Sequence, residues 1–310
     1  MDSHNRVTGK HDRWDNSIPP ALTINPGETV AFETPEITNG QITPNSTSEV
    51  MAALDFGQIH QIAGPVAIRG AEPGDTLVVE VIDIVPKSWA WSGIIPGFGL
   101  LADDPAFQTP YLHLWDLTQG NKTALKPGVE VPFEPFCGVM GVAPAEPGSL
   151  VTTPPRRNGG NIDIKQITKG TTAYFPVLAE GALFSCGDVH AAQGDGEVCG
   201  TGIECEATVT IRFDLLKGYE IQELEFITAG RMTGHWNRAG WYVVTRHGPD
   251  LMENARNAIR GMIAHLVRTK GLTEQEAYVL CSAAVDLKIS EVVDAPNWIV
   301  SAALPLGLFT

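Results

Sequence analysis

Proline followed by glycine recurs ahead of apolar, β-branched runs, and this punctuation constrains the fold more than any other feature of the chain. Pro26-Gly27 divides "LTINPGETVAFET" into two strand-like runs, and Pro73-Gly74-Asp75 stands before "TLVVEVIDIVP". "KPGVEVPF" from Lys126 and "PGSLVTTPP" from Pro147 repeat the device. Proline presets one turn dihedral and glycine accepts the left-handed one, so each pair favours a turn. The flanking runs are rich in Val, Ile and Thr, and Val66/Ile68 and Val79/Val81 alternate with other positions as half-buried strands do. Residues 77–84 are predicted as one such strand. The spacing is too irregular for a solenoid. With 32 Gly and 22 Pro in 310 residues, many short strands joined by turns are expected.

The pattern changes after residue 248. "DLMENARNAIRGMIAHLVRTKG" carries Leu251, Ala255, Ile259, Met262, Ile263 and Leu266 at helical spacing, with Gly271 placed to end the helix. Thr273 and Glu276 form a capping-box pattern that opens a second helix, and residues 287–294 read as a strand. The expectation is a mainly β region, residues 1–248, and a helix-helix-strand portion, residues 249–310. No linker separates them, so they are expected to share a core. Residues 89–105 and 153–170 are so rich in Gly and Pro that both are expected as loops without regular structure.

Charge and composition exclude several classes. The formal net charge of −15 repels phosphate backbones, so nucleic acid is not an expected partner. No apolar run reaches the roughly 18 residues of a membrane span, and the N-terminus has no apolar h-region. Five cysteines, an odd number with no C-x-x-C, argue against a disulfide framework or thiolate zinc site. A cytoplasmic, reduced protein is expected.

The densest polar cluster is "GDVHAAQGDGE", residues 187–197. In an extended segment Asp188 and His190 point to one face with Val189 towards the core, and Asp195 and Glu197 form a second i, i+2 pair. Asp and His are good ligands for a borderline divalent ion such as zinc. The same letters also suit a glycine-rich turn stabilised by Asx hydrogen bonds. His60, in "DFGQIH", and the Asn161–Asp163 stretch of "NGGNID" are further polar islands that read equally well as turns. The glycines of 194–200 do not fit the dinucleotide fingerprint, and there is no EF-hand ladder, H-E-x-x-H or G-x-S-x-G. Cys186, four residues before His190, is a candidate thiol nucleophile, whereas Cys137 reads as packed.

Six blocks, in order, resemble the acetamidase/formamidase family. They are "HDRWDNSIPPALTINPGETVAFET", "HQIAGPVAIRGAEPGDTLVVEVIDI", "PFCGVMGVAPAEPG", "NGGNIDIKQITKGTTAYFPV", "GALFSCGDVHAAQGDGEVCGTGIE" and "CSAAVDLKISEVVDAPNWIV". The resemblance implies a jelly-roll-like β-sandwich with an added α/β portion, a divalent metal (zinc, or else calcium), a homo-oligomer such as a dimer, and hydrolysis of small amides to carboxylate and ammonia. It places the family's polar motifs on His60, Asp163, Asp188, His190, Gln193, Asp195 and Glu197. The roles expected from it are metal ligation by Asp188, His190, His60 and Asp163, and proton transfer by Glu197 with Asp195. Gln193 and Asn161 are expected to hydrogen-bond the substrate. Two other readings stay open: a cysteine-dependent amidase using Cys186, and a non-catalytic β-sandwich with a structural cation site.

Overall fold

The computed structural model describes residues 5–229, 239–293 and 295–309. Its main strands are β1 (Thr29–Thr34), β2 (Ile62–Ile68), β3 (Thr76–Ile94), β4 (Tyr111–Asp116), β5 (Phe136–Gly141), β6 (Gly159–Asn161), β7 (Thr172–Pro176), β8 (Phe184–His190) and β9 (Glu204–Leu216). They belong to one open 13-stranded sheet among the described residues, whose central path runs β6-β5-β8-β9-β3-β7. A C-terminal portion follows: β10 (Trp241–Gly248), α1 (Leu251–Lys270), α2 (Glu274–Ala284), β11 (Asp286–Glu291) and β12 (Trp298–Pro305). β12 lies between β10 and β11 in an antiparallel three-stranded sheet.

The Pro-Gly pairs fall between strands as expected. Lys126 and Val129 flank one of them and close an antiparallel hairpin of Lys122–Lys126 with Val129–Pro132. Leu77, Val79 and Val81 are fully buried on one face of β3 while their neighbours are less so. That strand, however, runs 19 residues, well past the expected end at residue 84. Its far half takes in residues 89–94, which the glycine content had suggested were loop. Trp91 and Ala90 are buried there, and β4 and β9 pair with this half from either side. Aromatic residues with two partner strands outweigh one glycine, Gly93, in setting the local conformation. Residues 153–170 are mostly irregular but contain β6, which pairs with β5.

β9 begins at Glu204, just after the Gly-rich stretch 194–202. A register shift between Cys205 and Ala207 marks a bulge at this end. Bulges of this kind re-aim side chains at sheet rims.

The helices follow their sequence signals. The Asp250 side chain accepts from Glu253 N to start α1, and Gly271, with φ 62°, closes it in the left-handed region. Thr273 and Glu276 make both hydrogen bonds of the capping box at the start of α2. The expected strand 287–294 ends at Glu291, and Asp294 lies outside the described residues. One buried apolar cluster contains Phe32, Val79 and Phe213 from the large sheet together with Ile259, Leu266 and Leu280 from the helices. None of the described helices is long and apolar enough to cross a membrane.

Candidate active site

Five chain segments meet at one end of the large sheet. β8 ends with Asp188, Val189 and His190, and β9 opens with Glu204 directly opposite His190 in the antiparallel register. Phe136 of β5 is His190's partner on the other side, its ring edge-on to the imidazole at 5.1 Å. His60 arrives just ahead of β2, and Asp163 just after β6. Directly opposed residues in antiparallel strands hold their Cβ atoms about 5 Å apart. Pairing alone therefore aims Glu204 at His190.

Nε2 of His190 lies 2.9 Å from Glu204 Oε2 and 3.4 Å from Asp188 Oδ1. His60 Nε2 lies 4.0 Å from Asp188 Oδ2. Asp163, His190 and Glu197 form a second group whose ligand-type atoms all fall within 4.8 Å of one another. Val189 is fully buried, as expected, but Asp188 is not regularly extended: its φ is 53°. Asp163 (48°) and Glu197 (43°) share this left-handed conformation, so half of the six described non-glycine residues with positive φ are carboxylates of this site. Such backbone strain clusters where function demands a particular geometry. Gly138 makes room for two of them: a Cβ there would lie 2.5 Å from Asp163 Oδ1 and 2.8 Å from Asp188 Oδ2.

Gln193 fixes a proton on Nδ1 of the imidazole. Its Nε2 donates to the Asp163 carbonyl at 2.9 Å, a partner that can only accept. Its Oε1 therefore faces His190 Nδ1, at 2.8 Å, and must receive a proton from it. That leaves Nε2 of a neutral ring as a lone pair directed at two carboxylates. Asp188 Oδ1, His190 Nε2 and Glu204 Oε2 are all buried and without a hydrogen-bond partner. Three converging acceptor atoms need a cation between them or a second proton on the ring. The donor set of one imidazole nitrogen and two carboxylate oxygens, all within 4.8 Å of one another, fits a small divalent ion.

The local field divides the acids into two kinds. Burial works against charge on Asp188, yet His60 and His190 hold its carboxyl below the usual carboxylate range. Burial pushes Glu197 well above that range, and Asp163 adds to the effect. Asp163 is raised to about 7, first by burial and then by Asp188. Glu204 is raised to about 8 by burial, with His190 opposing and Asp188 adding. His190 is held well above the ordinary imidazole value because Glu204 and Asp188 outweigh its burial, whereas burial lowers His60. Carboxyls driven apart in this way mark division of labour between charged and neutral groups.

The group opens into a cavity of about 90 Å³ lined by His60, Asp188, Glu197 and Glu204 on one side, with Asn161 and Thr153 nearby. Asn161 Oδ1 is buried there without a partner. Gln193 does not offer a free amide to this cavity, since both ends of its side chain are engaged. Asp195 departs further from expectation. Gly196 (φ 108°) and Glu197 break the extended path, so the two acids do not share a face. Asp195 instead receives Gln166 Nε2 at 3.0 Å and lies 3.9 Å from Lys165 Nζ. Cys186 is fully buried in the core, and burial together with Cys137 raises its thiol well above the ordinary value, which opposes a nucleophilic thiolate. Glu204 was absent from the sequence reading. Its place beside His190 follows from the pairing of β9 with β8, which no local pattern in the sequence signals.

The acetamidase/formamidase family profile matches residues 1–147 and 146–310. An acetamidase of Mycolicibacterium smegmatis is 30% identical over 347 residues, covering 87% of this chain and 84% of the relative. A formamidase of Methylophilus methylotrophus is 27% identical, covering 96% of this chain and 89% of the relative. Among solved structures, a gamma lactamase from Delftia acidovorans superposes with a TM-score of 0.89 at 28% identity, over 97% of this chain and 89% of that one. An acetamidase from Bacillus halodurans gives 0.68 at 29% identity, over 97% of both chains. With the profile matching along its whole length, this chain belongs to the acetamidase/formamidase family.

Proposed function

We propose that this protein hydrolyses small neutral amides, RCONH2 + H2O giving RCOO− and NH4+, with a divalent ion held by Asp188, His190 and Glu204 and flanked by His60. The observation that carries the reading is the convergence of three buried, unpartnered ligand atoms at the floor of a cavity. Family membership supplies the amide chemistry. Among metals, the imidazole nitrogen favours zinc over calcium, which takes six to eight oxygens.

An ion bound there polarises the amide carbonyl and lowers the pKa of water, which offsets the resonance that protects an amide. The protein's own groups do the rest. Gln193 holds the His190 tautomer with Nε2 free. Glu197 takes a proton from the attacking water and returns it to the departing nitrogen as the C–N bond breaks. Its proton affinity, raised by burial and by the neighbouring Asp163, suits that return step. Asn161 Oδ1 is placed to accept a hydrogen bond from the substrate's NH2 group.

The test is ammonia release from formamide, acetamide and propionamide, alongside elemental analysis of the purified protein. Stoichiometric divalent metal and turnover abolished by a strong chelator are expected, with restoration on adding the ion back. Full turnover by protein shown to be metal-free would overturn the metal assignment. Absence of turnover on every short amide by metal-replete protein would overturn the amidase reading.

A further inference from the structure

Besides its carboxyls the cavity is lined largely by apolar side chains, two of them phenyl rings open to solvent. Ile37, Leu54, Trp91 and Ile95 line the interior, and Phe56 and Phe98 complete the lining. Both rings are large apolar side chains left open to solvent, at 49% and 42% exposure, and their centroids lie 6.2 Å apart. Exposed aromatics gathered at a concave mouth mark a ligand surface rather than ordinary exterior.

Each part of this wall is held in place. Asp55 caps the single turn that carries Phe56 by accepting from Gly57 N, and Gln41 Oε1 receives Asp55 N at 2.7 Å. Phe98 N donates to Ile95 O at 3.0 Å, and Leu100 N to Val198 O at 2.8 Å, so the turn is stitched to the segment bearing Glu197. The Phe98 ring covers Gly200, where a Cβ would lie 2.4 Å from it. Trp91 is fixed by its Nε1 donating to the buried Glu36 at 3.1 Å. A wall built this way is shaped before the ligand arrives.

The ionisable groups lining the cavity are His60 and the carboxyls of Asp188, Glu197 and Glu204, and among the described residues neither Lys nor Arg lines it. An amide carrying its own carboxylate at the far end of its chain would lay that charge against these apolar side chains, with no cationic side chain among the described lining residues to pair it. The volume sets the upper bound. An engineered apolar cavity of about 150 Å³ takes a benzene ring, so about 90 Å³ accommodates a short alkyl chain and not a ring buried whole.

We propose that the wall formed by Phe56, Phe98 and Trp91 makes this chain selective for neutral amides with an unbranched acyl chain of about three to five carbons, in preference to formamide or anionic amides. The proposal rests on the amidase reading and names the substrate class for that same site. The amide carbonyl sits at the carboxylate floor, and the alkyl chain lies along the apolar wall towards the two rings.

The experiment measures kcat/KM for formamide, acetamide, propionamide, butyramide and succinamate with the metal-replete enzyme. Saturation-transfer NMR on the same ligands reads binding without turnover. Along the neutral series, kcat/KM and affinity should rise about fourfold per buried methylene, and succinamate should fall about tenfold or more below butyramide. In Phe98→Ala and Phe56→Ala, checked for native circular dichroism, the butyramide-to-formamide ratio should shrink towards one. A flat or falling ladder in the wild type, succinamate equal to butyramide, or an unchanged ratio in both variants would each overturn the proposal. Should no amide be turned over while the binding ladder and its collapse in the variants persist, the amidase reading fails and the selective wall stands.

Discussion

Two glutamates approach His190 in separate groups, and the same conservative substitution should separate their roles. Glu204 Oε2 lies 2.9 Å from Nε2 with no hydrogen-bond partner, the position of a ligand. A Glu197 carboxylate oxygen lies within 4.8 Å of Asp163 and His190, and the residue lines the cavity, the position of a proton carrier. Glu197→Gln should lower kcat by roughly 10²–10⁴ while metal content stays near wild type. Glu204→Gln should lose the metal along with the activity, because a neutral amide is a far poorer ligand than a carboxylate. Elemental analysis beside the kinetics decides, and the reverse pattern would exchange the two assignments. Gln193 provides a subtler check. Gln193→Met keeps the bulk and removes the group that sets the imidazole tautomer, so metal affinity should weaken about 10–100-fold. Competitive metal titration against a chromophoric chelator measures it, and an unaltered affinity would leave Gln193 without that role. Cys186 offers the contrasting case: with its sulfur fully buried in the core, Cys186→Ala should retain most of the turnover.

At the scale of elements, the segment carrying Gln193 and Glu197 is tied to the C-terminal portion through Asp286, the first residue of β11. Asp286 Oδ1 receives Asp195 N at 3.0 Å and contacts Lys165 Nζ, and Leu287 N donates to Asp195 O at 2.9 Å. The Lys165 and Asp286 side chains are only 10% and 12% exposed. Asp286→Ala should therefore destabilise the fold by about 3 kcal/mol, since it leaves an ammonium buried with a more distant partner. Adding Lys165→Met should recover much of that loss. Urea denaturation of both variants is the measurement, and a single variant as stable as wild type would show that the contact contributes little. This contact also explains why Asp195, read from the sequence as a partner of Glu197, serves to join two elements.

At the scale of the whole molecule, the sheet and the two helices bury one continuous apolar cluster. Unfolding should accordingly be a single transition, with the near-ultraviolet signal of the tryptophans and the far-ultraviolet helix signal sharing one midpoint. Separate midpoints would mean that the two portions fold independently. A metal held only by the folded state adds about 2.7 kcal/mol at a hundred times its Kd. Chelation should then lower Tm by about 4 °C, in parallel with the loss of turnover.

The local elements were legible because their causes are local. Pro-Gly turns, alternation along β3, the helical stripe of Ala255, Ile259, Met262 and Leu266, the Thr273–Glu276 capping box and the Gly271 stop each depend on residues within a few positions of one another. The crowding of Asp188, His190, Gln193 and Glu197 was visible for the same reason. Glu204 was not visible, because its place beside His190 comes from the β8–β9 register, a pairing across thirteen intervening residues. Nor could the sequence alone release Asp195 from the site, orient the Gln193 amide through the Asp163 carbonyl, or bring Phe56 and Phe98 together at one mouth. Short-range sterics and hydrogen bonds dictate turns and helix ends. Strand register and core packing decide which side chains face one another, and in this protein those long-range terms assembled the site.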